Sequence, residues 1–539
     1  MNILLIIPRF NLTNEISYSY LFPIGMGYIA SAIKNAGYEL DCINLNHVGG
    51  RIDKILNPLL NSKNYSIVLT GGTSVIYTMI DLILNVVSTH PSHPKTILGG
   101  LIITTEPEVV FKTLKPDLGV VGEGEETVVE LLDCLKKNKN LKSVRGIIYM
   151  EDNGNLIKTE KREAANNIDS LPFPDLDSLG YEAYLENLRS TVHYTMNTLD
   201  YPRTYFILGS RSCPFQCTFC YHDNKYRERS IGNIFQELQE RVKKYRINLV
   251  FMYDDCFSLN HKRVYGFCDK IKKLQEEVGW EIKWATSLTV RGITLELLKA
   301  MKDAGCISVG YGFESYSVEV LKSMRKPITP KEIDKALKYT FESKIAIAAN
   351  FIFGDIMETK ETANETLNYY KQHCKGQIGL GFIQPYPGTE IYNHCIREGI
   401  IKNKSDFLKN KLELLKGGIN MTYKMTDKEI NMLNQELLRA VSKHSKFTRP
   451  FKIIKLRKNI YNLHCKCPFC GEKISYENLP VTNKFYFGFF TTCKRCFMRF
   501  FLVSSFQRIA YRYYFVSWGV RENIRKIENI FKKRKISIK

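Results

Sequence analysis

Long apolar runs are missing from this chain of 539 residues. No stretch of roughly eighteen or more uninterrupted apolar residues occurs, so the sequence predicts no membrane-spanning helix. The opening segment MNILLIIPRF has only a short apolar run and no basic start, which argues against a secretory signal peptide. No solenoid-type repeat is visible either. The length instead predicts two to four globular domains.

Acidic residues are in short supply: 55 Asp and Glu stand against 77 Lys and Arg, a formal net charge of +22. Much of the basic excess lies late in the chain, in runs such as FKKRKISIK. A basic tail over residues 506–539 is typical of contact with nucleic acid, an anionic membrane surface or an acidic partner, or of a simple solubilising segment. The aromatic segment FYFGFFTTCKRCFMRFFLV is interrupted by Lys494, Arg495 and Arg499. It is interpreted as strands of a small domain, with membrane-surface contact as the alternative.

The fifteen cysteines fall into three sets. Three lie within the stretch RSCPFQCTFCYHD, five lie between Cys465 and Cys496, and seven are scattered through segments that read as ordinary core. Scattered free thiols favour a reducing compartment, so we expect a cytoplasmic protein.

The first 150 residues alternate short β-branched runs, such as NILLII and YSIVLTGG, with helical patterns. This alternation predicts a doubly wound α/β domain with a parallel sheet, in which ligands bind at the carboxyl ends of the strands. Glycine pairs close three successive strands, at Gly71 and Gly72, Gly99 and Gly100, and Gly122 and Gly124. Such glycines let a ligand approach the backbone closely, although glycine is also common in ordinary βα turns.

The rest of the chain divides into five further segments. Residues 151–200, with SLPFPDLDSLG, look like a linker. Six βα units over residues 201–400 predict an incomplete parallel barrel, a partial (β/α)6 fold with its chemistry at the strand ends. Residues 401–460 read as a charged helical extension, residues 461–505 as a small cysteine-rich module, and residues 506–539 as the basic tail.

The loop after the first strand of the barrel carries Cys213, Cys217 and Cys220. A four-iron cluster normally takes four thiolates, so three leave one iron with an open site for a small molecule. This spacing, with Phe219 before the third cysteine, resembles the signature of the radical S-adenosylmethionine (SAM) superfamily. Three free or zinc-binding thiols are the alternative.

Four later segments support the resemblance and match the branch shared with cobalamin-dependent and methylthiotransferase-like members. They are FMYDDCFSLN, AGCISVGYGFESYSVEVLKSMRK, NFIFGDIMETKET and QPYPGTEIYNHCIREG. The third departs from the family pattern, since Asp355-Ile356 stand where the family more often has a turn with proline. The resemblance covers roughly residues 200–400.

The resemblance implies a 4Fe–4S cluster on Cys213, Cys217 and Cys220, with SAM chelating the fourth iron. It implies that Glu314 holds the SAM ammonium and that Arg291 or Ser287 pairs with the SAM carboxylate or ribose. Further candidates for SAM are Asp254 and Asp255, which reach the ribose or amino group, and the main chain near Tyr221, which flanks the adenine. Asp254 or Asp255 capping the following helix is the alternative for those carboxylates.

The N-terminal domain resembles the cobalamin-binding domain of cobalamin-dependent radical SAM enzymes. The cobalt-ligating motif D-x-H-x-x-G is missing, and His47 has no Asp two residues before it. Many members of this branch are expected to bind without that histidine, so cobalamin remains the prediction, with a purely structural domain as the alternative. The candidate cobalamin contacts are Thr73, Ser74, Gly99, Gly100, Gly122 and Glu123.

Two cysteine pairs, Cys467-x-x-Cys470 and Cys493-x-x-Cys496, match a four-thiolate zinc ribbon, a closed structural site. A second iron–sulfur cluster, joined by Cys465, is the alternative. Basic and aromatic residues nearby, such as Arg495 and Phe497, leave nucleic-acid binding open.

The expected function is reductive cleavage of SAM to a 5′-deoxyadenosyl radical, with cobalamin-dependent methyl transfer to a small or medium organic substrate. A rearrangement or ring-forming reaction is a second outcome in the family. The alternatives are modification of an RNA or protein held by the basic ribbon, and a non-catalytic scaffold. A reducing partner such as a flavodoxin or ferredoxin is also expected.

Overall fold

The computed structural model describes residues 1–187, 195–222, 225–412, 419–481 and 487–504. The basic tail predicted for residues 506–539 lies outside these ranges. Within them, every helix is too short or too polar to cross a membrane.

The N-terminal domain is built on a seven-stranded sheet in the order β2-β1-β3-β4-β5-β6-β7. Its strands are β1 Ile3–Ile7, β2 Leu40–Asn44, β3 Ile67–Gly71, β4 Lys95–Gly99, β5 Leu118–Val120, β6 Ile147–Met150 and β7 Leu156–Lys158. Its helices are α1 Ile24–Asn35, α2 Ile52–Ser62, α3 Tyr77–Ser88, α4 Leu101–Thr105, α5 Pro107–Leu114 and α6 Glu125–Lys136. β1 and β3 are buried at every position, as their continuous apolar runs require.

Strands β1 to β5 are parallel, which confirms the α/β fold with a parallel sheet. β6 and β7 pair antiparallel and extend the sheet to Lys158, past the boundary predicted at residue 150. A short turn over residues 151–155 lets β7 fold straight back on β6, since only antiparallel strands can be joined so tightly.

The segment expected to be a linker packs as a seam between the two large sheets. Its helix α7 (Tyr181–Asn187) buries Tyr181 and Tyr184 against Phe22, with ring centroids 4.7 and 5.1 Å away. The Tyr184 hydroxyl donates to the Tyr20 carbonyl over 2.9 Å. The buried side chains of Tyr181 and Tyr184 therefore fix this segment against the N-terminal domain.

The second large sheet contains six parallel strands in the order β15-β14-β13-β12-β11-β8. These strands are β8 Thr204–Ile207, β11 Leu249–Met252, β12 Lys283–Leu288, β13 Cys306–Glu314, β14 Ala346–Phe353 and β15 Gly379–Phe382, while β9 Ser210–Arg211 and β10 Arg227–Glu228 form a separate pair. The helices are α8 Ile231–Tyr245, α9 His261–Val278, α10 Leu295–Asp303, α11 Val318–Ser323, α12 Pro330–Glu342, α13 Lys360–His373 and α14 Glu390–Arg397. The carboxyl ends of all six strands lie at one edge of the sheet.

The helical extension predicted for residues 401–460 is only partly helical. It contains α15 (Lys404–Asp406), which continues into a π-helical turn over Phe407–Lys411, and α16 (Asp427–His444). From residue 447 the chain is extended, in β16 (Phe447–Thr448) and β17 (Pro450–Arg457). The helical prediction is wrong for that part of the segment, because the β-branched and aromatic residues between the charges of FKIIKLR favour a strand.

The C-terminal module consists of two three-stranded sheets, ordered β16-β21-β20 and β17-β18-β19. The further strands are β18 Ile460–Lys466, β19 Lys473–Pro480, β20 Gly488–Thr492 and β21 Arg499–Val503. The module docks through the Gln377 side chain, which accepts from Arg499 N over 2.6 Å and donates to its carbonyl over 2.9 Å. Lys494 also pairs with Asp200 at 2.6 Å. Asp200 and Gln377 precede β8 and β15, so the module covers the amino ends of the six-stranded sheet.

Candidate active site

The three-cysteine loop leaves the carboxyl end of β8 through β9. Its turn begins at Ser212, whose φ is +65°, a left-handed conformation that bends the chain sharply. Thr218 fixes the middle of the loop: its N–H donates to the Met324 carbonyl over 3.1 Å, and its carbonyl accepts from Ile391 N over 3.0 Å. Chain segments that follow β13 and β15 thus hold the middle of the loop through backbone hydrogen bonds.

The three thiols differ in their surroundings. Cys213 Sγ lies 3.8 Å from Cys256 Sγ, and the hydrogen bond between them lowers the Cys213 pKa to about 7. Burial raises the Cys220 pKa to about 12 and also raises that of Cys217. Thiols bind metal as thiolates, so a bound cluster must offset this cost of burial.

Glu314 ends β13 beside this loop, with a left-handed φ of +57°. Its Oε1 accepts from Lys326 Nζ over 2.9 Å, and only 10% and 16% of the two side chains are exposed. The charges of Cys217 and Cys220 act on Lys326 as well, which locates this cation beside the thiols. The predicted ammonium ligand therefore comes with a cationic partner of its own.

The other predicted SAM residues are distributed unevenly. Asp254 is buried and accepts from Gly209 N over 2.6 Å, so it braces the chain just before the loop. The helix-cap alternative is wrong for both aspartates, because Asn260 caps α9 and no side chain caps the short turn over Phe257–Leu259. Asp255 faces the large cavity described next, and Asp255 and Tyr221 both line a smaller cavity of about 350 Å³ beside the loop.

Ser287 and Arg291 lie elsewhere. Ser287 is half-buried on β12, and its Oγ would lie 3.0 Å from a Cβ placed on Gly310 of the neighbouring strand. Arg291 is exposed in the turn after β12. Neither side chain lines the cavity.

A cavity of about 740 Å³ separates the carboxyl ends of the N-terminal sheet from the cysteine loop. Its walls are mostly apolar, and they include five of the six predicted cobalamin contacts: Thr73, Gly99, Gly100, Gly122 and Glu123. Ser74 is buried and does not line it. On the opposite wall stand Arg211, Ser212, Tyr253 and Asp255.

Two glycines open the cavity wall. A Cβ built on Gly99 or Gly122 meets no atom within 4 Å, so both positions face open space. Gly71 has the opposite reason to be glycine, since its Cβ would lie 2.3 Å from the Gly99 carbonyl oxygen. The glycine pairs noted in the sequence thus combine close strand packing with access to the cavity.

Ion pairs join the two walls. Arg211 Nη2 lies 2.6 Å from Glu125 Oε1, and Arg211 Nη1 lies 3.2 Å from Glu123 Oε2. Arg227 also grips Glu123, with Nη1 donating to Oε2 over 3.1 Å. Glu123, predicted only as a cobalamin contact, therefore also ties the N-terminal domain to the cysteine loop.

His47 lies away from the cavity. Its Nε2 is 2.6 Å from the Tyr20 hydroxyl, and burial lowers its pKa to about 4. It does not belong to the cavity lining. His47 therefore does not replace the histidine of the missing D-x-H-x-x-G motif.

The second cysteine group is compact. The ligand atoms of Cys467, Cys470, Cys493 and Cys496 all lie within 4.8 Å of one another. The Sγ–Sγ distances are 3.8 Å for Cys467–Cys496 and 3.7 Å for Cys470–Cys493. A Zn–S bond of about 2.3 Å predicts tetrahedral edges of about 3.8 Å, so these residues fit one zinc ion. Cys465 is fully buried in the module's apolar core and lies outside the group, which argues against the second cluster.

Sequence reasoning missed Lys326, Cys256 and the two interdomain arginines, Arg211 and Arg227. Lys326 and Cys256 stand inside segments that carry the family resemblance. The charge of Lys326 and the thiol of Cys256 can be seen in the sequence. Which groups these side chains contact depends on how β13, β11 and the cysteine loop pack together.

Residues 207–370 match the sequence family described as the Radical SAM superfamily. This segment is a radical SAM domain. It contains the three-cysteine loop, Glu314 and Lys326, so the predicted family is confirmed. A radical SAM domain implies the 4Fe–4S cluster and the SAM that the sequence predicted.

Relatives of the radical SAM protein extend the likeness beyond this domain. An uncharacterized methyltransferase of Pyrococcus horikoshii is 28% identical over 388 residues, 70% of this chain and 79% of that protein. The anaerobic magnesium-protoporphyrin IX monomethyl ester cyclase of Rubrivivax gelatinosus is 24% identical over 381 residues, 69% of this chain and 65% of the cyclase.

One solved structure shows the same fold over most of the chain. The radical SAM methyltransferase TsrM of Kitasatospora setae, solved with cobalamin and a [4Fe-4S] cluster, superposes with a TM-score of 0.58. The match covers 73% of this chain and 75% of TsrM at 14% identity. At that identity the likeness concerns the fold.

Proposed function

We propose that this radical SAM enzyme binds cobalamin between its two large sheets and methylates an unactivated carbon of a small or medium organic substrate. The observation that carries the proposal is the cavity of about 740 Å³, which has the glycine-rich strand ends on one wall and the cysteine loop on the other. When bound, the cluster and SAM would supply a 5′-deoxyadenosyl radical, and cobalamin would carry the methyl group.

The mostly apolar wall of the cavity suits the flat face of a corrin ring, and polar residues in its lining, such as Thr73 and Asp255, suit the amide side chains of that ring. The cavity volume falls within the roughly 300–1,000 Å³ common for cofactor sites, and its wall is open at Gly99 and Gly122. Among the described residues, no histidine lines it. Thr73 and the glycine ends of the strands would hold cobalamin.

The SAM site is assigned to the carboxyl edge of the six-stranded sheet, which we take to be the partial (β/α)6 barrel. Cys213, Cys217 and Cys220 would ligate the cluster. Glu314 would accept from the SAM ammonium and Lys326 would donate to its carboxylate, a role that the family resemblance suggested for Arg291 or Ser287. Asp255 and Tyr221 would border the nucleoside, since both line the small cavity beside the loop.

Methyl transfer is favoured by the methyltransferases among the relatives, and ring formation is kept open by the cyclase. RNA or protein modification by way of the ribbon is less well supported. Gln377 and Asp200 attach the ribbon at the amino ends of the strands, opposite the cysteine loop. A polymer held there would lie on the wrong side of the sheet. A flavodoxin or ferredoxin in the cytoplasm would supply the electron.

The decisive experiment is anaerobic purification followed by metal and corrin analysis. We expect broad cluster absorption, corrin absorption after incubation with hydroxocobalamin, and 5′-deoxyadenosine from SAM on reduction. A G99L variant should lose corrin retention and keep its iron, because a bulky side chain at this open position would fill the cavity. Equal retention by wild type and variant would overturn the cobalamin assignment.

A further inference from the structure

The hairpin formed by β17 and β18 exposes large apolar side chains at the edge of the C-terminal module. β17 is an edge strand, because its sheet runs in the order β17-β18-β19. Phe451, Ile453 and Leu456 are 62%, 40% and 48% exposed. Three such side chains on one eight-residue strand exceed the isolated apolar residues normal on a surface, and they indicate a binding surface.

Basic side chains alternate with these apolar ones. Lys452, Lys455 and Arg457 lie on the same strand and are exposed. The sequence has no Asp or Glu from Ser445 to Lys466. No carboxylate of the described residues pairs with these three cations. The strand therefore offers both apolar surface and unneutralised positive charge.

We propose that this hairpin docks the protein on an anionic lipid surface. Phe451, Ile453 and Leu456 would enter the boundary between headgroups and acyl chains, and the cations would contact the acidic headgroups. The amino-end location of the module leaves the cavity free for substrate. The proposal does not depend on the cofactors proposed above, since the hairpin and the cysteine loop lie on opposite sides of the sheet.

The positive charge of the hairpin argues against two other binding partners for it, the C-terminal segment of this chain and a second copy of the hairpin. The segment 505–539 of this chain has ten Lys and Arg against two Glu, so it carries the same sign as the hairpin. A second copy of the hairpin would repel for the same reason. The partner must be negative and must also accept apolar side chains.

An anionic lipid surface meets both conditions better than a nucleic acid does. Nucleic acids stack their bases on aromatic rings, and Phe451 is the one ring among the three apolar side chains. Ile453 and Leu456 cannot stack on bases but gain free energy when they leave water for acyl chains. The aliphatic share of the patch therefore favours lipid.

The test is sedimentation of the full chain with vesicles of phosphatidylcholine alone or mixed equally with phosphatidylglycerol. We expect retention on the mixed vesicles only, and loss of that retention at high salt. F451S/I453S/L456S and K452Q/K455Q/R457Q should each weaken binding by about tenfold or more. K331Q/K335Q/K338Q, which removes three exposed lysines of α12, should bind as the wild type does.

A second readout does not depend on losing function. Brominated acyl chains in mixed vesicles should quench the fluorescence of the tryptophan introduced by F451W. They should not quench the tryptophan introduced by V318W, at a site 65% exposed on α11. Vesicle binding that survives both triple variants would overturn the proposal. Equal quenching of the two tryptophans, or retention by homopolymeric RNA but not by mixed vesicles, would overturn it as well.

Discussion

Glu314 and Lys326 form a buried ion pair at the carboxyl end of β13, with 2.9 Å between Oε1 and Nζ. Gly312 makes room for it, since a Cβ there would lie 2.1 Å from Glu314 Oε1 and 2.5 Å from Lys326 Nζ. Two opposite charges side by side complement the ammonium and carboxylate of one amino acid. The methionine part of SAM presents those two groups.

Lys326→Met should lower the affinity for SAM. A hydrogen bond to a charged group contributes about 1.5–3 kcal/mol, so the dissociation constant should rise about tenfold to a hundredfold. Equilibrium dialysis of labelled SAM with cluster-loaded protein measures it. Lys326→Arg should retain part of the affinity, and Lys322→Met, at an exposed site on α11, should change nothing. Unchanged binding in a folded Lys326→Met protein would remove the assignment.

Cys217→Ala should abolish 5′-deoxyadenosine formation while leaving the fold intact. Cys217 is the buried middle cysteine of the loop, and the two remaining thiolates would hold a four-iron cluster poorly. Iron content and product chromatography under anaerobic conditions check this. Cys374→Ala removes another buried thiol, one far from the loop, and should leave the iron content and the 5′-deoxyadenosine yield unchanged. A Cys217→Ala protein that still cleaves SAM contradicts the ligand assignment.

Arg227→Glu should loosen the N-terminal domain from the cysteine loop. Arg227 pairs with Glu123 of the N-terminal domain, and only 7% of its side chain is exposed. The reversed charge would face Glu123 and repel it. Hydrogen exchange of residues 118–128 should become faster, whereas Arg227→Lys, which keeps the positive charge beside Glu123, should retain much of the protection. Equal exchange in all three proteins would show that the pair does not couple the domains.

Cys470→Ser should release zinc and unfold the C-terminal module without stopping SAM cleavage. Structural zinc contributes folding free energy, and the module docks on the amino ends of the strands, away from the loop. Zinc analysis and limited proteolysis after residue 445 report the first effect, and 5′-deoxyadenosine yield reports the second. Cys465→Ser should retain the metal, because Cys465 lies outside the four-thiolate group.

Sequence reasoning reached the sites that depend on short-range spacing. Cys467 and Cys470 can be assigned to one metal because two residues between thiols already fix the turn, and the βα alternation predicts which strand ends meet. Glu123 shows the limit. Its position in a glycine-rich βα turn was visible, but its pairing with Arg227 spans 104 residues and depends on how two domains pack.

Asp254 illustrates a second limit. Its sequence context at a strand end suits a ligand or a cap equally well. Only the packing of Gly209 against it makes it a brace, with 2.6 Å between Oδ1 and the amide. Burial of this kind is decided by tertiary contacts, which one sequence does not encode locally.

Glu358→Gln should change how stability depends on pH. Glu358 is buried after β14, and burial raises its pKa from 4.5 to about 8. Between those values the folded protein holds a proton that the unfolded chain has lost, so wild-type stability falls as pH rises, by up to about 1.4 kcal/mol per pH unit. Glutamine cannot ionise, and the variant should lose less stability between about pH 5 and pH 8.

Thermal unfolding of the two proteins across this pH range, followed by circular dichroism, measures the difference. The stability of the variant relative to the wild type should increase steadily toward pH 8. Glu361→Gln is the matched control, because Glu361 is exposed on α13 and its pKa is lowered, which puts its titration below this window. Parallel curves for wild type and Glu358→Gln would mean that the buried carboxyl finds enough polar contact to ionise at its ordinary pH.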